Sequence, residues 1–197
     1  MKKITVIIIS FLLAHMCFAQ GFEAKLVGGI NASQLEGDNL SGFDKLGIQV
    51  GLGVEYELLK NSISVELLFN QKGSAEKTSS QSTNRLSTTL NYVQIPILYN
   101  FNSWYNEKGF YQITVEGGPY ISRLFGVTST NPSIEVFKDN FKSFDFGLLL
   151  GVKYRFHRHL SIGIRYDQSL SEIYQLPNTQ ESALLSYLAS LRMEYYF

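Results

Sequence analysis

The sequence predicts an all-β protein: an eight-stranded antiparallel transmembrane β-barrel with short periplasmic turns and long extracellular loops. Three features predict it, namely an export signal, strands with one apolar face, and connections that alternate between long and short. Alternation of apolar and polar residues with a period of two is typical of a strand with one apolar face. Hydrophobic residues make up 45% of the 197 residues, yet after residue 20 they form no run long enough for a membrane-spanning helix.

Residues 1–20 have the features of a secretory signal peptide that is cleaved after Ala19 or Gln20. A basic start at Lys2 and Lys3 precedes an apolar run from residue 4 to residue 13, which is shorter than the roughly 20 residues of a spanning helix. Cys17 is the only cysteine, and Met16 stands where a lipoprotein signal needs a small residue. We therefore expect Cys17 to be removed with the signal, leaving residues 21–197 as one barrel domain without disulfides.

The clearest strand is predicted for residues 144–156, where every second residue is apolar. This strand is longer than the roughly five or six residues usual in globular sheets. It matches the roughly 9–11 residues that a tilted strand needs to cross a bilayer. The same alternation predicts strands in residues 48–56, 63–70, 111–116, 160–167 and 187–197, and less regular ones in residues 22–32 and 90–101.

Pro96 interrupts the predicted strand of residues 90–101. Proline has no amide hydrogen to donate to a neighbouring strand and usually lies at an edge or a bulge. A closed barrel has no edge strand. The sequence therefore predicts a local bulge or a missing hydrogen bond near Pro96.

The connections between these strands alternate in length. The short ones are residues 58–61, 102–108 and 157–159, and the long ones are residues 33–46, 73–89, 122–143 and 168–185. Short turns at the periplasmic rim and long loops at the other are typical of bacterial outer-membrane barrels.

The aromatic residues fit the same topology, because they form the two girdles expected at the membrane interfaces. The sequence places one girdle at each rim. The periplasmic girdle is Phe22, Tyr56, Tyr99, Phe101, Tyr111, Tyr154, Phe156, Tyr195 and Phe197, and the outer one is Phe69, Tyr92, Phe144, Tyr166 and Tyr187.

Several short motifs resemble the PorT-like outer-membrane β-barrel family typical of Bacteroidetes. They are Gly-Ile-Asn at residues 29–31, Gln-Lys-Gly at 71–73, Asn-Tyr-Val-Gln-Ile-Pro at 91–96, Glu-Gly-Gly-Pro-Tyr at 116–120 and Arg-Tyr at 165–166. The Tyr-x-x-Ile-Pro stretch is the most specific, and the resemblance makes a proline at position 96 normal. It implies an outer-membrane barrel, and the terminal Phe197 resembles the C-terminal signal that barrel-assembly machinery recognises.

Charged residues recur on the parity that faces the barrel interior. One hypothesis is a polar conduit or a catalytic carboxylate pair. The other is a structural set of ion pairs, because the interior of an eight-stranded barrel is just wide enough for side chains and buried charges must be paired. We favour the structural network, with Glu55, Glu116, Arg165 and Arg192 at its core. Its predicted members are Glu55, Glu66, Glu116, Arg155, Arg165, Arg192 and Glu194.

Several functions find little support in the sequence. The formal charge is zero, without a basic stripe for nucleic acid. His157 and His159 share the spacing of two metal ligands but have no third nearby, so no metal site and no cofactor is predicted. Enzymes built on small barrels need a Ser–His or Asp–His pair at the outer rim, whereas both histidines are placed at the periplasmic rim. We therefore do not expect an enzyme.

Two functions remain open on the sequence. The first is a structural or interaction scaffold with surface-exposed loops, for example a secretion- or adhesion-related subunit. The second is a narrow outer-membrane pore for ions or small solutes, although eight strands leave little lumen. The expected partners are outer-membrane lipid, the barrel-assembly machinery and a protein whose identity the sequence does not reveal.

Overall fold

The computed structural model describes residues 21–36, 42–76, 86–130, 141–174 and 185–197. The predicted signal peptide, with Cys17, lies outside these ranges. Among the described residues, no helix is long and apolar enough to cross a membrane. The eight strands are β1 (Phe22–Glu36), β2 (Lys45–Leu58), β3 (Asn61–Ala75), β4 (Ser87–Tyr105), β5 (Tyr111–Ser129), β6 (Phe144–His157), β7 (Leu160–Ser169) and β8 (Leu185–Tyr196).

The strands close into one antiparallel barrel. Each strand pairs with the next along the chain, and β8 returns to pair with β1, from Lys25 opposite Tyr196 to Glu36 opposite Leu185. Closure gives every strand two neighbours, which is what backbone amides need in hydrocarbon, where an unpaired one costs several kcal/mol, roughly. The predicted eight-stranded antiparallel barrel is confirmed.

Side chains alternate between the lipid face and the interior along the wall. In β6, Phe146, Leu148 and Leu150 are half exposed on the outer surface, whereas Asp145 and Leu149 are buried inside. The outer face therefore presents an apolar belt to the hydrocarbon, and the interior receives the polar residues.

Most strands run further than the alternation predicts, and β5 runs furthest. β5 continues to Ser129, through the start of the connection predicted for residues 122–143, and β4 continues to Tyr105, into the turn predicted for residues 102–108. In β5 the apolar alternation is hidden by Gly117, Gly118 and Pro119, which pair with β6 without a break. The prediction was too short because glycine and proline carry no apolar signal.

Pro96 lies where the pairing of β3 with β4 lapses. The two strands pair up to Val65–Ile97 and resume at Leu68–Gln94, so Pro96 has no partner residue in β3. Proline cannot donate to that ladder. This gap agrees with the predicted missing hydrogen bond near Pro96. A register shift of β4 against β5 lies earlier in the strand, between Asn91 and Tyr92.

Tyr92 faces the interior, which corrects its prediction as an outer-girdle residue. It shares the inward parity of β4 with Leu90 and Gln94, and its side chain is fully buried. The aromatic content of the strand alone did not reveal this, because both faces of β4 carry bulky residues.

The barrel wall is highest on the side of β4 and β5. β5 pairs with β4 as far as Ser129 but with β6 only as far as Arg123. The rings of Phe69 and Phe125 lie 5.8 Å apart on the outer surface of this region. Above them the outward residues are polar, a change that marks the membrane boundary. These polar residues are Gln71, Thr89, Asn91 and Thr128.

Candidate functional site

Eight buried charged side chains fill the middle of the barrel and form what we call the charge network. The network holds equal numbers of acids and bases, all contributed by inward positions of seven different strands. Equal numbers allow mutual neutralisation, which buried charges require. The acids are Glu55, Glu66, Glu116 and Glu194, and the bases are Lys25, Lys153, Arg165 and Arg192.

Glu66 of β3 is the hub of the charge network. Its carboxylate lies 2.7 Å from Nζ of Lys25, 2.9 Å from Nη1 of Arg165 and 3.0 Å from Nη2 of Arg192. Three bases around one carboxylate tie β1, β7 and β8 to β3 through the lumen. Charge-assisted contacts of this kind are about twice as strong as neutral hydrogen bonds.

The other three acids complete the charge network. Glu116 lies 2.6 Å from Nη2 of Arg165, and Glu194 lies 2.8 Å from Nη2 of Arg192. Lys153 is 3.3 Å from Glu55 and 3.7 Å from Glu116. Each base therefore contacts at least two acids, so no single pair is isolated.

Inward-facing glycines make the room for these long side chains. A Cβ added at Gly53 would lie 2.8 Å from Cε of Lys25, and one at Gly151 would lie 2.9 Å from Oε1 of Glu116. Gly53 stands opposite Lys25 in the sheet, and Gly151 opposite Glu116. Each of these glycines thus leaves the space that a long charged side chain on the neighbouring strand occupies.

A layer of amide side chains lies next to the charge network on its outer side. Nε2 of Gln49 donates to Asn70 at 2.8 Å, Nδ2 of Asn70 donates to Gln94 at 2.7 Å, and Nε2 of Gln94 donates to Asp167 at 2.9 Å. This chain of hydrogen bonds crosses the lumen from β2 to β7. It separates the charge network from the buried pair of Lys72 and Asp145.

Beyond the amide layer, Lys72 is held by an acid and two aromatic rings. Its Nζ lies 3.1 Å from Asp145 and sits 4.7 Å and 5.2 Å from the ring centroids of Tyr120 and Tyr92. A cation over an aromatic face is stabilised by the ring quadrupole. Ser169 also donates to Asp145, at 2.5 Å.

An apolar cluster closes the outer end and is called the outer cap here. Phe141 precedes β6 and Tyr174 follows β7, and their backbones form an isolated antiparallel β-bridge. Their rings lie 4.8 Å apart. Leu124 and Val127 pack against the cluster from β5. Apolar packing at this level covers the polar interior. The buried members of the cap are Leu35, Leu90, Tyr92, Phe141, Ile173 and Tyr174.

Arg155 lies apart from the other predicted network residues. It is at the periplasmic rim, where Nη2 is 2.6 Å from Glu23 and the guanidinium is 3.7 Å from the ring centroid of Tyr196. The other six predicted residues all lie in the charge network. They are Glu55, Glu66, Glu116, Arg165, Arg192 and Glu194. Arg155 belongs instead to a separate pair, because its position in β6 is closer to the turn.

Lys25 is the main functional residue that the sequence analysis missed. It contacts three acids of the charge network, yet it lies in the glycine-rich first strand, where apolar alternation is weak. Lys25 is an even number of residues from Val27 and Asn31 and therefore lies on the same face of β1 as these two residues, which are both buried. This spacing was the signal that could have revealed it. Tyr196 was also missed, although its hydroxyl donates to Glu194 at 2.6 Å.

Three of the acids have the spacing of a metal site. Oxygens of Glu66, Glu116 and Glu194 lie within 4.8 Å of one another. However, Lys25, Lys153, Arg165 and Arg192 already stand among them, so a cation would have to compete with four fixed positive charges. The arrangement is therefore suited to mutual neutralisation and poorly suited to holding a metal ion.

The two histidines lie in the periplasmic turn between β6 and β7. Nδ1 of His159 is 2.8 Å from the carbonyl oxygen of Tyr196, and the amide of His159 donates to Nδ1 of His157 at 3.3 Å. Among the described residues, neither ring is hydrogen-bonded to a serine hydroxyl or a carboxylate. The absence of enzyme activity stays a prediction.

The fold is similar to those of solved outer-membrane barrels of low identity. The crystal structure of Neisserial surface protein A (NspA) is 13% identical, covers 90% of this chain and 97% of that chain, and has a TM-score of 0.52. The crystal structure of Ail, the attachment invasion locus protein of Yersinia pestis, is also 13% identical, covers 89% and 98%, and has a TM-score of 0.48. At this identity the likeness to NspA shows the fold alone.

The family of the chain follows from its amino-acid sequence. No curated protein matches it. A family model described as outer membrane protein beta-barrel domain matches residues 18–175, which is most of the chain. The closed eight-stranded wall with its apolar outer belt agrees with that description. The chain therefore belongs to the outer membrane protein beta-barrel domain family and is an outer-membrane β-barrel.

Proposed function

We propose that the protein is a closed scaffold that presents its extracellular loops to a protein partner at the cell surface. The observation that carries this proposal is the filled interior. From the level of Glu55 and Lys153 outward, the charge network, the amide layer and the outer cap follow one another along the barrel axis and fill the described interior with packed side chains. A barrel filled in this way acts through its surface.

The outer end offers a surface for such a partner. The sheet of β3, β4 and β5 rises above the aromatic pair of Phe69 and Phe125, so part of it stands in the extracellular medium. Its outward residues are uncharged and polar, which suits hydrogen bonding to another protein. Function is often carried by loops and edges that a rigid scaffold positions.

A photo-crosslinking amino acid at position 128 would test the partner. Thr128 is exposed on the rising sheet, and Lys60 in the β2–β3 turn is a matched exposed position at the periplasmic end. In cells, we expect one adduct of constant mass from position 128 and none of that mass from position 60. Recovery of the uncrosslinked barrel alone from position 128 would contradict the proposal.

The alternative is a narrow pore for ions or small solutes. An eight-stranded barrel has an interior just wide enough for side chains, and the three layers occupy it. Purified protein in a planar lipid bilayer should therefore give no steady conductance steps, with a large porin as the positive control. Reproducible steps of constant size that need the folded protein would favour the pore.

We also propose, within the family, a PorT-like assignment, which rests on the motifs at residues 91–96 and 116–120. Outer-membrane lipid is then the partner of the apolar belt, and Phe197 is the residue that barrel-assembly machinery recognises. The protein is proposed to work without a cofactor and without enzyme activity. The support is the position of His157 and His159 at the rim away from the cell surface.

A further inference from the structure

The periplasmic end of the barrel opens into a cavity of about 360 Å³, called the periplasmic mouth here. It lies beneath the charge network, with Glu55 and Lys153 in its lining, and Glu23, Arg155 and Tyr196 also line it. Its size falls in the range of about 300–1,000 Å³ usual for small-molecule sites. Further lining residues are Glu57, Leu59, Tyr105, Phe110, Tyr111 and Arg158.

Most charges that line the periplasmic mouth are already paired. Glu23 is bound by Arg155, and Glu55 is bound by Lys153 at 3.3 Å. Glu57 and Arg158 are exposed, and no ion pair involves either of them among the described residues. The mouth therefore offers one free carboxylate and one free guanidinium.

The two free charges lie on opposite sides of the mouth. Glu57 is near the end of β2, and Arg158 is in the turn between β6 and β7. Four strands separate them one way round the closed wall of eight and three the other way. Eight strands about 4.8 Å apart and tilted by roughly 40° enclose a backbone circle about 16 Å across. One extended residue spans only about 3.5 Å. A ligand that meets both charges must therefore be longer than a single amino acid.

Arg155 adds donor capacity on the side of Arg158. Its guanidinium stacks on Tyr196 and binds Glu23 through Nη2, while its buried Nε has no hydrogen-bond partner. A carboxylate can accept from two guanidinium groups at once, in short charge-assisted bonds. The side of the mouth near β6 is thus suited to a carboxylate, and the Glu57 side to an ammonium.

We propose that the periplasmic mouth binds a short peptide with free termini, its C-terminal carboxylate at Arg158 and Arg155 and its N-terminal ammonium at Glu57. A simple anion fits less well, because Glu23, Glu55 and Glu57 repel it. Tyr105, Phe110 and Tyr111 at the rim supply aromatic surface for a central apolar side chain. Three extended residues span about 10 Å, which fits within a backbone circle of that diameter.

Calorimetric titration of the full-length barrel in lipid nanodiscs with the tripeptide Ala-Phe-Ala tests the proposal. The free tripeptide should bind, and amidation of its C-terminus or acetylation of its N-terminus should weaken binding about tenfold. Arg158→Gln should remove the effect of amidation, and Glu57→Gln should remove the effect of acetylation. Lys60→Gln, a neighbouring charge outside the cavity, is the control and should change nothing.

Three outcomes would overturn the proposal. They are no binding of the free tripeptide, equal binding of its three forms, and equal losses in the Lys60→Gln and Arg158→Gln variants. Tighter binding of inorganic phosphate than of the tripeptide would make the mouth an anion site instead. Glu57 and Arg158 are exposed, so their substitution leaves the barrel folded, which unchanged migration of the unheated protein in detergent gels checks. The outcome is independent of the scaffold proposal, which concerns the opposite end.

Discussion

The ammonium of Lys25 lies 2.7 Å from Oε1 of Glu66, although β2 separates their strands in the barrel wall. The contact therefore passes over the inner face of β2, at Gly53, and is not a pair between sheet neighbours. Glu55 and Glu194 approach the same ammonium at 3.8 Å and 3.2 Å. One side chain thus fixes four strands relative to one another.

Replacing Lys25 by Met should lower the free energy of unfolding by about 3–5 kcal/mol, because it leaves the four buried acids of the charge network with only three bases. Urea unfolding in lipid vesicles measures this, with the fluorescence of Trp104, the single tryptophan, as the signal. The double variant Lys25→Met and Glu66→Gln should lose less than the sum of the two single losses.

Lys60→Met is the matched control for this experiment. Lys60 is exposed in a turn, so its loss should change stability by less than about 0.5 kcal/mol. Equal effects of the two lysine substitutions would show that the charge network does not stabilise the barrel.

Gly51→Ala should destabilise the barrel by about 1–3 kcal/mol, because a new Cβ would collide with the carbonyl oxygen of Leu67. Gly28→Ala is the control, since a Cβ at Gly28 meets no atom within 4 Å. Gly28→Ala should leave the unfolding midpoint in urea unchanged or slightly raised. If both variants unfold at the same concentration, the close packing around Gly51 is not a constraint.

Phe141→Ala should open the outer cap without opening a channel. Loss of the ring costs about 3–5 kcal/mol of local packing, so hydrogen exchange at the amides of Leu90 and Tyr92 should accelerate. Bilayer conductance should stay absent, because the charge network still fills the lumen. Phe144→Ala, which removes a half-exposed ring, is the control for exchange. Conductance in the Phe141 variant would mean that the cap is the only barrier.

Phe197→Ala should slow assembly into the outer membrane of cells while leaving refolding of the purified protein in detergent unchanged. The expectation rests on the resemblance of the C-terminus to the signal that assembly machinery recognises. In the barrel, the amide of Phe197 donates to Ala24 at 3.1 Å, a contact that alanine keeps. Phe156→Ala, another exposed rim aromatic, is the control, and equal assembly of both variants would rule out a special role.

The strands could be predicted from sequence because lipid imposes a strict period of two on their outer face. Phe146, Leu148 and Leu150, for example, are apolar at every second position of β6. Their ends were harder to predict, since β5 passes through Gly117 and Gly118 and then rises above the membrane, where the apolar signal stops. The register shift between Asn91 and Tyr92 also left no trace in the alternation.

The interior could be predicted only in part, for a related reason. Parity places Glu66 and Arg165 inside, but it does not give depth along the axis, so Arg155 was grouped with charges that lie deeper in the barrel. The outer cap escaped prediction because Phe141, Ile173 and Tyr174 lie between strands, where no periodicity marks them. Their role follows from tertiary packing alone.

The seam between β1 and β8 sets the order of events during assembly. Lys25 and Glu194, which bind each other, are 169 positions apart, so they meet only after the last strand has joined the first. Until then Lys25 and Glu194 lack each other, and we expect an open sheet to keep both hydrated. We therefore expect water to leave the lumen in the same step that closes the wall, after all the strands have formed.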